Sequence, residues 1–141
     1  MFRSTFEHTI DEKGRVIIPT KFREELGARF FAARGPENCI YLYPCAEWEK
    51  IESQLCALVT TKPKERAFVR LMMSSVADCE TNAQGRVTLP PHLRGHARLR
   101  KNVVLFGALT HVEVWDSELW AAYCEENGTV EQLGTDLEIR F

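Results

Sequence analysis

The chain has 141 residues, enough for one compact domain or two half-size units that share a core, and too few for two independent enzyme domains. Hydrophobic residues make up 45% and charged residues 27%, a balance that excludes a disordered, collagen-like or coiled-coil chain. The net charge of −2, taken alone, argues against nucleic-acid binding, because DNA-binding domains usually carry a basic excess.

That charge is unevenly distributed. Residues 1–115 contain 17 Lys and Arg against 13 Asp and Glu, whereas residues 116–141 contain seven acidic residues and one basic residue, Arg140. An acidic end therefore masks a basic body. Two interpretations of that end stay open: an ordinary solvated face, or a segment held away from DNA that discourages non-specific binding.

No apolar run approaches the ~20 residues that cross a bilayer, and the N-terminus lacks the features of a signal peptide. We therefore expect a cytoplasmic protein that does not associate with a membrane. The five cysteines include no Cys-x-x-Cys pair, and we expect them to be reduced and mostly buried.

An internal repeat organises the chain. Residues 12–19 recur as residues 83–90, at an offset of 71, with Gly, Arg, Val and Pro identical. The match extends outward to pair Phe22-Arg23 with Leu93-Arg94, and residues 43–48 with residues 115–120. Because solenoids need about three or more repeats, two copies favour a single domain with pseudo-two-fold symmetry.

In chain order, each copy predicts the same elements. An alternating strand over Phe6–Ile10 meets a turn at residues 11–14, where Gly14 can take the positive φ of a hairpin, and the return strand ends at Pro19. A short helix follows, with Phe22 and Leu26 on one face and Gly27 at its end. Further strands are predicted at 29–34, 38–43, 103–106 and 111–115.

Amphipathic helices are predicted at 46–59, 64–73 and 117–126, and no regular pattern follows Gly128. Their large apolar residues are expected in the core or in subunit contacts: Trp48, Leu55, Phe68, Leu71 and Trp120. The chain is thus divided into a first unit (5–50), intervening helices (51–75), a second unit (76–122) and an acidic C-terminal tail (123–141).

A charged pair brackets the first turn. The Asp11 carboxylate can accept from the Arg15 guanidinium and orient it, while the outer edge of the guanidinium stays free for a phosphate or a base. The second copy has Asn82 in place of Asp11, which can still accept through its carbonyl, and it keeps Arg86. A purely structural ion pair is the alternative for one copy, and the repetition favours a binding role.

Six stretches carry a family resemblance: Met1-Phe2-Arg3, Glu7 to Arg15, Pro19-x-Lys21-Phe22-Arg23, Cys39 to Trp48, Gln84-Gly85-Arg86 and Glu113 to Trp120. Together they closely resemble the MraZ family of bacterial transcriptional regulators, from Met1 to about Tyr123. The resemblance implies an α+β fold: a double-repeat, swapped-hairpin AbrB-like β-barrel with flanking helices and a pseudo-two-fold axis within one chain.

The resemblance also implies a function. A ring-shaped homo-oligomer would bind tandem direct repeats in the double-stranded promoter DNA of the operon for cell division and cell-wall synthesis. It would act there as a sequence-specific repressor in the cytoplasm, associated with the nucleoid. Two residues depart from the family pattern: Ser4 stands where Gly is usual, and Asn82 stands where Asp is usual.

Arginine bonds bidentately to guanine edges, and a two-stranded ribbon fits the major groove. We therefore expect Arg15 and Arg86, which flank the turns, to bind DNA, with phosphate contacts from Lys13, Arg3, Lys21 and Arg23. The residues that support the two turns are Asp11, Gly14, Asn82 and Gly85.

Two other classes of protein remain as alternatives. An AbrB-type antitoxin typically resembles one copy followed by a disordered partner-binding tail, which two fused copies do not match. A small enzyme could use a metal on His92 and His96, although Pro91 and Gly95 argue against a regular helix there, or a Cys39 thiol with His8 as its base. No third ligand or nucleophile signature accompanies these pairs, so we expect no catalytic residue, metal or cofactor.

Overall fold

The computed structural model describes residues 1–58 and 61–140. The first copy of the repeat contains β1 Thr5–Thr9, β2 Arg15–Ile17, α1 Thr20–Leu26, β3 Arg29–Arg34 and β4 Ile40–Pro44. Two helices follow it, α2 Cys45–Cys56 and α3 Pro63–Ser75. The second copy contains β5 Ala77–Glu80, β6 Arg86–Thr88, α4 Pro91–Ala97, β7 Asn102–Gly107 and β8 Val112–Asp116, and the chain continues into α5 Ser117–Asn127 and α6 Val130–Asp136.

The strands of the two copies are interleaved. A six-stranded antiparallel sheet has the order β1-β7-β8-β4-β3-β5, and β2 and β6 form a separate two-stranded ribbon. Strand β1 of the first copy pairs with β7 of the second, and β5 of the second pairs with β3 of the first. In the ribbon, Val16 lies opposite Val87, its own counterpart in the repeat. The antiparallel sheet with its helices confirms the α+β class.

This pairing differs from the local hairpin that the sequence predicts. Next to the first turn, Ile10, which follows β1, forms an isolated bridge with Val16 of β2, whereas β1 and β2 themselves pair with strands of the second copy. An isolated two-stranded hairpin is at best marginally stable in water. Exchange of strands instead places the apolar faces of both copies against one core.

That core is built from matching positions of the repeat. Its fully buried side chains include pairs related by the offset of 71, such as Val16 and Val87, Ile18 and Leu89, and Phe22 and Leu93. Burial of a large aliphatic or aromatic side chain contributes about 1.5–3 kcal/mol. Neither copy could therefore be removed without exposing the apolar face of the other.

Most predicted elements agree with the structure to within a few residues. Strand β3 has the predicted bounds, and the helices predicted at 64–73 and 117–126 are α3 and α5. The helix predicted at 46–59 is α2, which ends at Cys56, and its predicted last residue, Val59, lies outside the described residues.

Two expectations about helices were wrong. A regular helix, α4, forms despite Pro91 and Gly95, because Pro91 occupies the first turn, where its missing N–H is not needed, and Leu93 is buried. In the tail, α6 forms where no pattern was expected, and a reciprocal capping box between Thr129 and Gln132 begins it. Within the described residues, no helix is both long enough and apolar enough to cross a membrane.

Candidate nucleic-acid interface

The first turn holds Arg15 through both backbone and side chain. The Oδ1 atom of Asp11 accepts from the backbone N–H groups of Lys13 at 3.0 Å and Arg15 at 2.8 Å. Its Oδ2 atom accepts from Nε of Arg15 at 2.7 Å. The backbone hydrogen bond from Arg15, together with the guanidinium of the same residue, lowers the pKa of Asp11 and keeps the carboxylate charged at neutral pH. Asp11 thus holds Arg15 through Nε, and the terminal guanidinium nitrogens make no hydrogen bond within the described residues.

The second turn has the same backbone geometry without the charge. The Oδ1 atom of Asn82 accepts from the backbone N–H groups of Gln84 at 3.0 Å and Arg86 at 2.9 Å. Two backbone hydrogen bonds also correspond. The N–H of Asp11 donates to the carbonyl of Arg15, and that of Gly14 to the carbonyl of Asp11, both at 3.0 Å. In the second turn the equivalent bonds, from Asn82 to Arg86 and from Gly85 to Asn82, measure 2.8 and 2.9 Å. Because the Asn82 amide nitrogen cannot accept, no hydrogen bond joins the two side chains, and in the described part of the chain the Arg86 guanidinium has no partner.

Each turn is backed by an arginine from the other copy. Gly14 has φ of 80° and Gly85 has φ of 76°, in the region where L side chains are strained. A Cβ atom on Gly14 would lie 2.7 Å from Cζ of Arg94, and a Cβ atom on Gly85 would overlap Nη1 of Arg23. Helix α4 therefore supports the first turn, and helix α1 supports the second.

The β2–β6 ribbon presents both turn arginines on its outward face. Val16 and Val87 point into the core, so the alternation of the strands places four side chains outward: Arg15, Ile17, Arg86 and Thr88. In the register, Arg15 lies opposite Thr88, and Arg86 lies opposite Ile17. The two arginines are thus diagonal neighbours with Cα atoms about 7–8 Å apart, one beside each turn.

The expected phosphate contacts lie at both ends of this ribbon. Lys13 is exposed at the tip of the first turn. Lys21, in the first turn of α1, donates to Oγ of Ser4 at 2.9 Å, which also brings the adjacent Arg3 close to it. Because α1 also holds Arg23 against the second turn, Lys21 and Arg3 belong to the second-turn end of the ribbon.

Arg94 was missed by the sequence interpretation, although its counterpart Arg23 was a candidate. Nε of Arg94 donates to the carbonyl of Leu89 at 2.9 Å. Nη2 of Arg23 donates to Oγ1 of Thr20 at 2.6 Å, while its Nε is buried without a hydrogen-bond partner in the described residues. The repeat pairs the two arginines in sequence, and that correspondence is the signal that identifies Arg94.

Ser4 has φ of 83°, in the left-handed region that glycine adopts most easily. The MraZ pattern usually has glycine at this position, so the departure noted in the sequence falls on a strained backbone. The hydroxyl that glycine would lack is the acceptor for Lys21.

The two histidines considered for a metal bind different partners. Nε2 of His92 lies 2.7 Å from the carbonyl oxygen of Ser75, and Nε2 of His96 lies 3.0 Å from that of Glu37. The residues that the structure describes include no group of three or more His, Cys, Asp or Glu side chains that could hold a metal ion.

The thiol considered as a nucleophile is buried. Burial, together with the carboxylates of Glu113 and Glu37, raises the pKa of Cys39 to about 12. Since the thiolate is the reactive form, this thiol is inert at neutral pH. In residues 1–58 and 61–140, no hydrogen bond connects Cys39 with His8.

Comparison with known proteins gives consistent matches. A profile of the family described as "MraZ protein, putative antitoxin-like" matches the chain twice, over residues 1–71 and 72–134. Among curated relatives named transcriptional regulator MraZ, that of Carboxydothermus hydrogenoformans is 49% identical over 124 residues, covering 88% of this chain and 87% of its own. That of Caldanaerobacter subterraneus subsp. tengcongensis is 47% identical over 123 residues, covering 87% and 86%.

A third relative with the same name, from Limosilactobacillus reuteri, is 44% identical over an alignment of 142 residues that covers all of both chains. The names of these relatives describe regulators, a non-enzymatic class of protein. The prediction that this chain is not an enzyme is confirmed by them.

Proposed function

Since the chain belongs to the MraZ family, we propose that it is a sequence-specific, DNA-binding transcriptional regulator. The observation that carries this proposal is the outward face of the β2–β6 ribbon, where Arg15 and Arg86 are diagonal neighbours. A two-stranded ribbon fits the major groove of DNA, and arginine reads guanine through paired hydrogen bonds to O6 and N7. Ile17, which is 39% exposed and lies opposite Arg86, offers an apolar contact for a thymine methyl group.

The cations around the ribbon supply affinity in this proposal. Lys13 at the first turn, and Lys21, Arg3 and Arg23 near the second, contact phosphates and set the register without reading sequence. One protomer has few such contacts. An assembly that lays several ribbons along one duplex multiplies them through effective concentration, and direct repeats in the DNA match repeated protomers.

The family resemblance extends the proposal to a biological role. We place the protein on the nucleoid, at tandem direct repeats in the promoter of the operon for cell division and cell-wall synthesis, where a bound ring blocks transcription as a repressor. The fold in this proposal is the swapped-hairpin AbrB-like barrel. Its support is that β1 contacts β2 and β5 contacts β6, so the ribbon lies beside both edge strands of the six-stranded sheet.

An exposed apolar surface supports the oligomer. Trp48 and Leu55 are buried, but Phe68 and Leu71 on α3 are 52% and 62% exposed. We expect Phe68→Ser with Leu71→Ser to dissociate the oligomer in sedimentation velocity, with unchanged circular dichroism. An assembly of unchanged size would remove α3 from the proposed subunit contact.

Two substitutions test DNA binding. Arg15→Ala and Arg86→Ala should each weaken binding to a promoter fragment at least tenfold in gel-shift assays, because each removes an outward guanidinium while the buried face of the ribbon is unchanged. Circular dichroism checks the fold. Full binding by both variants would overturn the proposal.

Arg15→Lys is the matched control, because it keeps the charge but cannot form the bidentate bond to guanine. We expect this variant to retain affinity for random DNA while it loses preference for the promoter. Equal preference in wild type and Arg15→Lys would show that Arg15 contacts phosphate and not a base.

The AbrB-type antitoxin remains the second candidate, since the matched family is described as antitoxin-like. Such a protein would need a surface for a protein partner. A flat salt dependence of binding to DNA, in place of the steep fall that counterion release produces, would favour this alternative.

A further inference from the structure

The connection between α4 and β7 is longer and more basic than its counterpart in the first copy. Helix α1 and strand β3 are separated by two uncharged residues, Gly27 and Ala28. Helix α4 and strand β7 are separated by four residues, of which three are cations: Arg98, Arg100 and Lys101. This segment, residues 98–101, is called the basic loop below.

The basic loop is anchored beside the first turn. The backbone N–H of Ile10, immediately before that turn, donates to the carbonyl of Lys101 at 2.8 Å. Leu99 packs against the hydrophobic core, and its N–H donates to the carbonyl of Arg94 at 3.1 Å. One apolar side chain thus holds the loop while the charged residues on either side of it are exposed.

The loop borders a surface hollow next to the arginine that supports the first turn. The hollow is lined by Arg94, Arg98 and Arg100, and Arg94 is the residue that packs against Gly14. Lys101 lines an adjoining hollow together with Arg100. Positive charge therefore continues from the first turn to the basic loop.

Two carboxylates also line the hollow, but both are already engaged. Asp116 is 3% exposed and accepts from the backbone N–H groups of Arg100, Glu118 and Leu119. Glu118 pairs with the Arg100 guanidinium. The side chains of Arg98 and Lys101 have no hydrogen bond or ion pair within residues 1–58 and 61–140. These two cations are free to meet an anionic ligand.

The backbone at Arg98 adds a separate observation. Arg98 has φ of 53° and ψ of 39°, a left-handed conformation, at the position where the first copy has Gly27. Residues other than Gly, Asn and Asp rarely adopt this region. The chain thus carries a guanidinium at a position where glycine would suit the backbone better.

The two ends of the ribbon obtain their cations from different places. At the second-turn end, α1 carries Arg23, which supports that turn, and Lys21, which binds Ser4 next to Arg3. Their counterparts in the repeat, which belong to the first-turn end, are His92 and Ser74. Histidine is largely neutral at pH 7, and serine has no charge. Without the basic loop, the only cations that we identify at the first-turn end are those of the turn itself and Arg94.

We propose that Arg98 and Lys101, next to Arg94, form a second contact site for DNA phosphates, which supplies at the first-turn end the charge that Lys21 and Arg3 supply at the other end. The inference rests on the proposed DNA-binding function. Its ligand is the phosphodiester backbone, so the site adds affinity and leaves base preference unchanged.

The double variant Arg98→Gly with Lys101→Gln tests this site. Gly suits the backbone at position 98, so urea unfolding should show no loss of stability. Each lost phosphate contact lowers the slope of log K against log salt by about 0.9. The ratio of the wild-type association constant to that of the double variant should therefore fall about tenfold between 50 and 200 mM salt. We expect the same fall for promoter and random DNA.

Lys64→Gln with Arg70→Gln is the matched control, because it removes two exposed cations from α3 and changes the net charge equally. An unchanged slope in the basic-loop variant, or an equal fall in the control, would overturn the inference. Saturable binding of ATP or inorganic phosphate at fixed ionic strength, lost in the basic-loop variant, would also overturn it. If wild type itself fails to bind DNA, the proposed function fails instead.

Discussion

The turn at residues 11–14 and the turn at residues 82–85 have corresponding backbone hydrogen bonds, but only the first holds its arginine by charge. In both, a side-chain oxygen at the first position accepts from two backbone N–H groups. Asp11 uses its second oxygen to orient the Arg15 guanidinium, whereas Asn82 has no second acceptor for Arg86. The shape of the turn therefore needs one oxygen and one glycine, and the carboxylate adds only the orientation of the arginine.

The surroundings of the two turns differ in the same way. The backbone contacts and the supporting arginines occur at equivalent positions of both copies. The exposed cations occur at different positions in the two copies. Packing therefore constrains the two copies equally. The exposed cations come from α1 at the second-turn end and from the basic loop at the first-turn end.

The largest expected effect compares the two apolar anchors below the turns. Phe22→Ala should lower the free energy of unfolding by about 3–5 kcal/mol and Leu93→Ala by about 2–5 kcal/mol, because each leaves a cavity in the shared core. Phe22 also packs edge-on against Phe2 and Phe6, so its loss should be the greater. Urea unfolding followed by circular dichroism measures both. A larger loss for Leu93→Ala would contradict the expectation that Phe22 is the stronger anchor.

A smaller effect is expected at the turn glycines. Gly14→Ala and Gly85→Ala should each cost about 1–2 kcal/mol, because alanine is strained at positive φ. Gly95→Ala is the control, since an added Cβ there meets no atom within 4 Å and alanine favours the helix. We expect that control to be neutral or stabilising in the same unfolding assay. Unequal losses at the two turns would show that their backbones are not equivalent.

Exchanging the first residues of the turns alters their charge alone. Asp11→Asn should keep the backbone bonds but release Arg15, and lower promoter affinity several-fold in a gel-shift assay. Asn82→Asp should orient Arg86 and raise that affinity. If neither variant changes the affinity, orientation of the arginines contributes nothing to binding.

The stability lost in Asp11→Asn should also depend on pH. The pKa of Asp11 is lowered in the folded protein, so its contribution to stability is present above the unfolded pKa of about 3.9 and is lost as the pH falls through the folded value. The stability difference between wild type and Asp11→Asn should therefore shrink in urea titrations from pH 5 toward pH 3. A constant difference would contradict the assignment of Asp11 as the charged group.

The smallest effect is expected from the acidic end. A chain that ends after Gly128 keeps α5 and removes α6, whose side chains are mostly exposed, together with three acidic residues and Arg140. We expect stability to be unchanged and affinity for random DNA to rise about two- to threefold at low salt, because a repulsive charge is lost. Unchanged affinity would support the interpretation of an ordinary solvated face.

Local features of this molecule were predictable from the sequence. The positive φ of Gly14 and Gly85, the helix that follows Pro19, and the burial of Val16 and Val87 follow from residue type and alternation. Which strands pair was not predictable, because the same alternation suits pairing within one copy and pairing between the two copies. The seven-residue helix α4 was also obscured, since its proline and glycine argue against a helix unless the position of each in the turn is known.

The repeat, the turn chemistry and the apolar alternation are properties of short stretches of chain, so they could be read directly from the residues. The exchange of strands, the support of each turn by an arginine from the other copy, and the placement of the basic loop beside the first turn join residues about 45–100 positions apart. Such contacts form because two apolar faces, each insufficient alone, share one core. Once that core brings the copies together, cations that are distant in sequence lie along one ribbon.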